Sequence, residues 1–134
     1  MNRLIAVALI VAGIIHLLPA AGMLGPDRLQ ALYGVRLDDP NLVILLRHRA
    51  LLFALLGLLL VAAAFRAEWR GIALAAGYAS VLGFLAFASV ATGYNAELAR
   101  VVRADWIALA ALVVATVAHF APRVAGGAGP RARH

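Results

Sequence analysis

Six polar side chains stand out because each lies inside or at the edge of a long apolar stretch: His16, Arg47, His48, Tyr94, Asn95 and Asp105. An ionisable group in hydrocarbon is expensive, so each such residue implies a partner or a task. Histidine titrates near neutrality and can pass protons, arginine grips anions, and a carboxylate can neutralise the arginine or bond a polar head group. One reading is a pocket in which Asp105 neutralises Arg47 while His16, His48, Tyr94 and Asn95 relay protons or hold a ligand head group. The other is structural: an Arg47–Asp105 pair clamps two helices and the histidines bond to backbone.

Other chemistry finds less support in the residues. His16 and His48 could both approach one ligand position, but no paired histidines at helical spacing favour haem or a metal. His119 belongs to the opposite end of its helix, about a membrane thickness away, and reads with Thr116 as an interfacial bystander. There is no cysteine, so thiolate ligation, disulfides and thiol redox chemistry are excluded. Nucleophile elbow, Walker loop, HExxH and GxGxxG are all missing, so an enzymatic role finds no motif behind it.

The elements that would position these residues follow from composition. Of the 134 residues 65% are hydrophobic and 13% charged, well above the apolar half of a soluble domain. Runs near 4–24, 42–65, 71–92 and 105–121 approach the ~20 residues that span ~30 Å of hydrocarbon. The expected fold is all-α: an antiparallel four-helix transmembrane bundle occupying 1–122, with 123–134 as a disordered cytoplasmic tail. The first run has a basic start but is too long for a signal peptide and reads as a retained helix.

Local signals refine this plan. Pro26 at a helix start, Leu29, Leu32 and Tyr33 on one face and Gly34 as a stop predict a short amphipathic helix on the outer membrane surface. Asp39 as cap and Pro40 as first helical residue start the second span early enough to carry Arg47-His48-Arg49 roughly 10–14 Å down it. Arg47 shares a stripe with Ala50, Ala54 and Gly57, which points it inward, and His16 follows Ala12 and Gly13 on a similar close-packing side. Arg49 aligns with Phe53, Leu56 and Leu60 and reads as snorkelling to lipid head groups. Trp69 and Trp106 read as interface anchors. Asn95 reads as a cap for a last helix starting at Ala96, which buries Asp105; a later start would make Asp105 the cap.

With alternating helices, His16, Arg47, His48, Tyr94, Asn95 and Asp105 all fall toward one end. Both termini are expected inside, with Arg3, Arg66, Arg70, Arg123, Arg131 and Arg133 against Glu68 on the cytoplasmic side. A pI near 11.3 would suggest nucleic acid in a soluble chain, but these arginines sit at helix ends and loops, so no nucleic-acid partner is expected.

His16-Leu-Leu-Pro19, Ala31-Leu-Tyr-Gly34, Pro40-Asn41, Arg47-His48-Arg49-Ala50, Gly93-Tyr94-Asn95 and Asp105 together resemble a group of small bacterial four-helix membrane proteins of unassigned function. The resemblance covers nearly the whole chain and implies the bacterial inner membrane. The hydropathy plan also looks loosely like the DoxX-like class, some members of which accompany quinone-linked oxidoreductases. Sequences of the closer group sometimes carry a phosphopantetheine adenylyltransferase label. That enzyme is a soluble α/β protein with an HxGH motif, and neither the strands nor the motif occur here. Three functions are expected to compete: a polar pocket binding a quinone, lipid or small amphiphile, linked to redox chemistry; a non-catalytic subunit or assembly factor of a membrane complex; and a proton-coupled transporter working as a homo-oligomer.

Overall fold

The computed structural model describes residues 2–126, with side chains described as far as 121. The described chain is helical, and no strand occurs in it. Helix α1 is Asn2–Leu17 and tightens into a 3-10 turn, Leu18–Leu24, at Pro19. The short α2 is Pro26–Tyr33, α3 is Pro40–Phe65, α4 is Arg70–Val90 and α5 is Ala96–Gly126. Four stretches, α1 with its 3-10 turn, α3, α4 with the turn before it, and α5 as far as Ala121, are long and apolar enough to cross a membrane.

The predicted boundaries rest on caps the structure contains. Asp39 accepts a hydrogen bond from the Asn41 amide at 2.8 Å, and Pro40 follows as first helical residue. Asn95 accepts from the Leu98 amide at 2.8 Å, so α5 starts at Ala96 and Asp105 lies well inside it. Gly34 closes α2 in the left-handed region at φ 63°, where a glycine pays no Cβ penalty. The expected disordered tail is corrected at its near end, since α5 runs on to Gly126; residues 127–134 lie outside the described part.

The helices form a ring in which α1 packs on α3 and α5, and α4 packs on the same two from the far side. Leu9, Leu60 and Leu112 are fully buried at its centre, and Leu60 and Leu112 meet over Gly77. The closest approach is between α1 and α3, where a Cβ on Gly57 would lie 2.9 Å from the Gly13 carbonyl oxygen and one on Gly13 would lie 3.0 Å from that of Gly57. Lipid tails are as apolar as leucine, so close fit of small residues is what holds such a pair. Outward faces carry Leu55, Leu58, Phe87 and Val90, all exposed, the faces a bilayer would cover.

Helix α2 does more than lie on a surface. Its Leu29 is completely buried and its Tyr33 is 5% exposed, because Gly22 has no side chain and leaves room for Leu29 against Ala50. The helix therefore plugs the end of the bundle where α1 finishes. At the opposite end Arg70 is buried, its Nε reaching the Ala63 carbonyl at 3.4 Å and its Nη1 the Asn2 Oδ1 at 3.5 Å. Midway, Tyr78 and Thr116 hydroxyls bond at 3.0 Å between α4 and α5.

Candidate functional site

The plugged end of the bundle gathers the polar groups around Tyr33, which lines two cavities. On one side, α5 brings Asp105 to a cleft of about 240 Å³ between the end of α1, α2 and α5. Its walls are mostly apolar, including Ile15, Leu18, Leu32 and Val101, with Glu97 and Arg100 also lining it. Asp105 is there because it shares a stripe with Ala108, Leu112 and Ala115, all turned into the bundle. It is 7% exposed, and among the described residues neither a hydrogen bond nor a salt bridge reaches its carboxylate.

On the other side of Tyr33, Arg49 lines a cavity of about 450 Å³ bounded by α3 and the turn into α5. Its guanidinium lies 5.3 Å from the Tyr33 ring centroid, 4.9 Å from Phe53 and 5.4 Å from Phe84. Three aromatic faces thus replace water around the cation. Burial pushes the Tyr33 phenol above its ordinary value of 10.0, Arg49 pulls it back, and Asp105 pushes it further up. The hydroxyl between the two charges therefore stays neutral near physiological pH and can both donate and accept.

His16 is inward as expected and 2% exposed. Its Nδ1 lies 2.8 Å from the Ala12 carbonyl, which can only accept, so Nδ1 donates. Its Nε2 has no partner in the structure, an arrangement that costs about 1–3 kcal/mol. The ring tilts against Phe53 at 5.8 Å.

Arg47 is the principal correction. It is exposed, donates from Nε to the Met23 carbonyl at 3.1 Å, and forms no pair with Asp105. The stripe it shares with Ala50, Ala54 and Gly57 does face α1, and those three are buried. At the depth of Arg47, however, α1 has ended and the 3-10 turn covers that face, so the side chain caps a carbonyl and leaves the bundle. Arg49 takes the inward place instead, because its own stripe continues through Phe53 and Leu56 to the fully buried Leu60 and Ala63. His48 is exposed beside Arg47, Met23 and Leu51, so the imidazoles of His16 and His48 do not share a site.

Tyr94 and Asn95 reach the rim of the Arg49 cavity. Tyr94 is 41% exposed. Asn95 is a strap as well as a cap, since its Nδ2 donates to the Tyr33 carbonyl at 2.7 Å. The structure thus brings together Asp105, Tyr94 and Asn95 around Tyr33 and Arg49, and buries His16 against Phe53. It leaves Arg47 and His48 outside. Sequence reasoning missed Arg49 and Tyr33 as central residues; the Phe53-Leu56-Leu60-Ala63 stripe was the signal for the first.

Fold and site together define an all-α four-helix bundle, with helices able to span a membrane and two cavities under a plugging helix at one end. The chain matches no protein-family profile, no curated protein and no solved structure.

Proposed function

We propose that this chain is a multi-pass membrane protein that binds a small amphiphile, a quinone or a lipid with a comparable head group, in the cleft backed by Asp105. The observation that supports it is a buried carboxyl without a partner at the back of a largely apolar cleft. Asp105 lines the cleft with no protein donor bonded to it, so a ligand hydroxyl can donate to the carboxylate, and a ligand carbonyl can bond only where Asp105 is protonated and donates. The depth also suits an amphiphile. Asp105 lies about 14 Å along α5 from Ala96, near the boundary where head groups meet hydrocarbon. The resemblance to small bacterial four-helix proteins supports the inner membrane, and Arg66 and Arg70 in the short turn between the second and third spans support both termini cytoplasmic with the cleft on the outer side. The looser DoxX-like plan makes a quinone the first ligand to test.

Asp105→Leu separates this from a structural role. Leucine matches the cleft walls and removes an unpaired buried acid, so the fold should hold or gain stability, while the hydrogen bond to the head group disappears. Titration of a short-chain benzoquinol, whose hydroxyl can donate to the carboxylate, followed by tryptophan fluorescence from the neighbouring Trp106, should show about ten-fold weaker binding in the variant. Equal affinity in the two proteins would remove Asp105 from the site.

A second reading, as a homo-oligomer or a subunit of a membrane complex, is favoured by α4. Gly71, Ala75, Ala79 and Gly83 recur every four residues on one face, and a Cβ at Gly71 or Gly83 would meet nothing within 4 Å. Such small-residue spacing lets helix backbones approach in lipid. Ala79→Leu should then shift crosslinked or native-gel species to the monomer; an unchanged ladder argues for a lone bundle.

A further inference from the structure

Arg49 has its guanidinium over three aromatic rings, yet among the described residues none of its N–H groups donates a hydrogen bond and no carboxylate forms a salt bridge with it. Ring faces balance its charge but do not satisfy its in-plane donors. An arginine fork left open in this way fits the planar edge of an oxyanion. Two cavities meet at the residue. The upper one, about 450 Å³, is rimmed by Tyr94 and Asn95; the other, about 290 Å³, runs between α3 and α4 along Leu52, Phe53, Leu56 and Ser80. No acidic residue lines either cavity; the Asp105 carboxylate acts on Arg49 from beyond Tyr33 without bonding to it, so the charge presented to both cavities is positive.

We propose that this is a second site, on the opposite side of Tyr33 from the Asp105 cleft: the phosphate of an anionic membrane lipid sits against Arg49, and one acyl chain lies in the groove between α3 and α4. The position suits both parts. Arg49 is roughly 13 Å along α3 from Pro40, where a head group phosphate meets its chains, and the groove descends from it into the apolar layer. The lipid supplies the acceptor oxygens that the fold withholds. A zwitterionic head group brings a cation of its own into a cavity without a carboxylate, so an anionic lipid is preferred.

The test uses the full chain reconstituted in phosphatidylcholine doped with phosphatidylglycerol, with retained lipids counted by native mass spectrometry. Wild type should keep phosphatidylglycerol over phosphatidylcholine. Arg49→Gln should weaken that retention about ten-fold or more. Arg47→Gln removes the same charge from the exposed edge and should leave it intact. Should Arg49→Gln fail to fold, Ser80→Leu decides, since it fills the groove without altering charge and should also release the lipid. Inorganic phosphate should not displace it, because the chain contributes to binding. Equal retention of the two lipids by wild type, unchanged retention in a folded Arg49→Gln or in Ser80→Leu, equal loss in Arg47→Gln, or displacement by inorganic phosphate would each overturn the proposal.

Discussion

Gly57→Val is expected to cost about 3 kcal/mol of bundle stability, the upper end of what overpacking a close contact does. A Cβ at that position would stand 2.9 Å from the Gly13 carbonyl oxygen and 2.7 Å from Leu17 Cγ. A carbonyl cannot rotate aside as a side chain can, so relief comes only by moving α1 away from α3 along much of their contact. Van der Waals fit is the main attraction between helices in lipid, and it fades steeply with such a separation. One turn above, the contact of His16 with Phe53 at 5.8 Å would open too, and with it the aromatic support of Arg49. Denaturation of the detergent-solubilised protein by added SDS measures the loss. Gly83→Ala is the control: nothing lies within 4 Å of its Cβ position, and its cost should stay within about 0.5 kcal/mol. Equal midpoints for the two variants would mean that the α1–α3 approach does not hold the bundle.

The second large effect is at Asn95, which does two jobs with two atoms. Its Oδ1 caps α5 at the Leu98 amide, and its Nδ2 ties that cap to the Tyr33 carbonyl of α2. Asn95→Ala removes both, about 1 kcal/mol for the cap and a similar amount for the strap, so about 2 kcal/mol together. Asn95→Asp separates them. Aspartate caps a helix as well as asparagine does, but it presents an acceptor to the Tyr33 carbonyl where a donor stood. Asn95→Asp should therefore cost about 1 kcal/mol, the strap alone, with α2 amides exchanging with solvent through local opening while α5 stays capped. Protection of α2 equal to wild type would show that the strap contributes nothing. Because Tyr33 walls both cavities, loosening α2 should also weaken ligand binding on either side.

Helix starts were legible in the sequence because single residues with fixed geometry set them: Asp39-Pro40 for α3, Asn95 for α5, Gly34 for the end of α2. Depth was legible too, since alternating direction alone puts His16, Arg47, His48, Tyr94, Asn95 and Asp105 toward one end. Azimuth was harder. The Ala50-Ala54-Gly57 stripe correctly marked the face of α3 that meets α1, yet the face of a helix is only interior where a neighbour reaches that height. Where α1 stops and turns, at Leu18–Leu24, depends on how the chain folds back, and no local pattern around Arg47 encodes it. The role of Tyr33 was hidden for a similar reason. A two-turn amphipathic segment reads alike whether it floats on lipid or plugs a bundle; Gly22, which leaves room for Leu29, decides between them from outside the helix.

The ring order has a bearing on biogenesis. The neighbours of α1 are α3 and α5, so the earliest span to leave the ribosome cannot finish its assembly until the latest has been made. In the interval the flank of α1 that α5 will cover, which carries Ile15, has no helical partner and must be sheltered by the insertion machinery or by lipid. Slow translation between α4 and α5 would prolong that exposure, whereas a chain delivered quickly closes the ring before the half-built bundle can recruit the wrong neighbour.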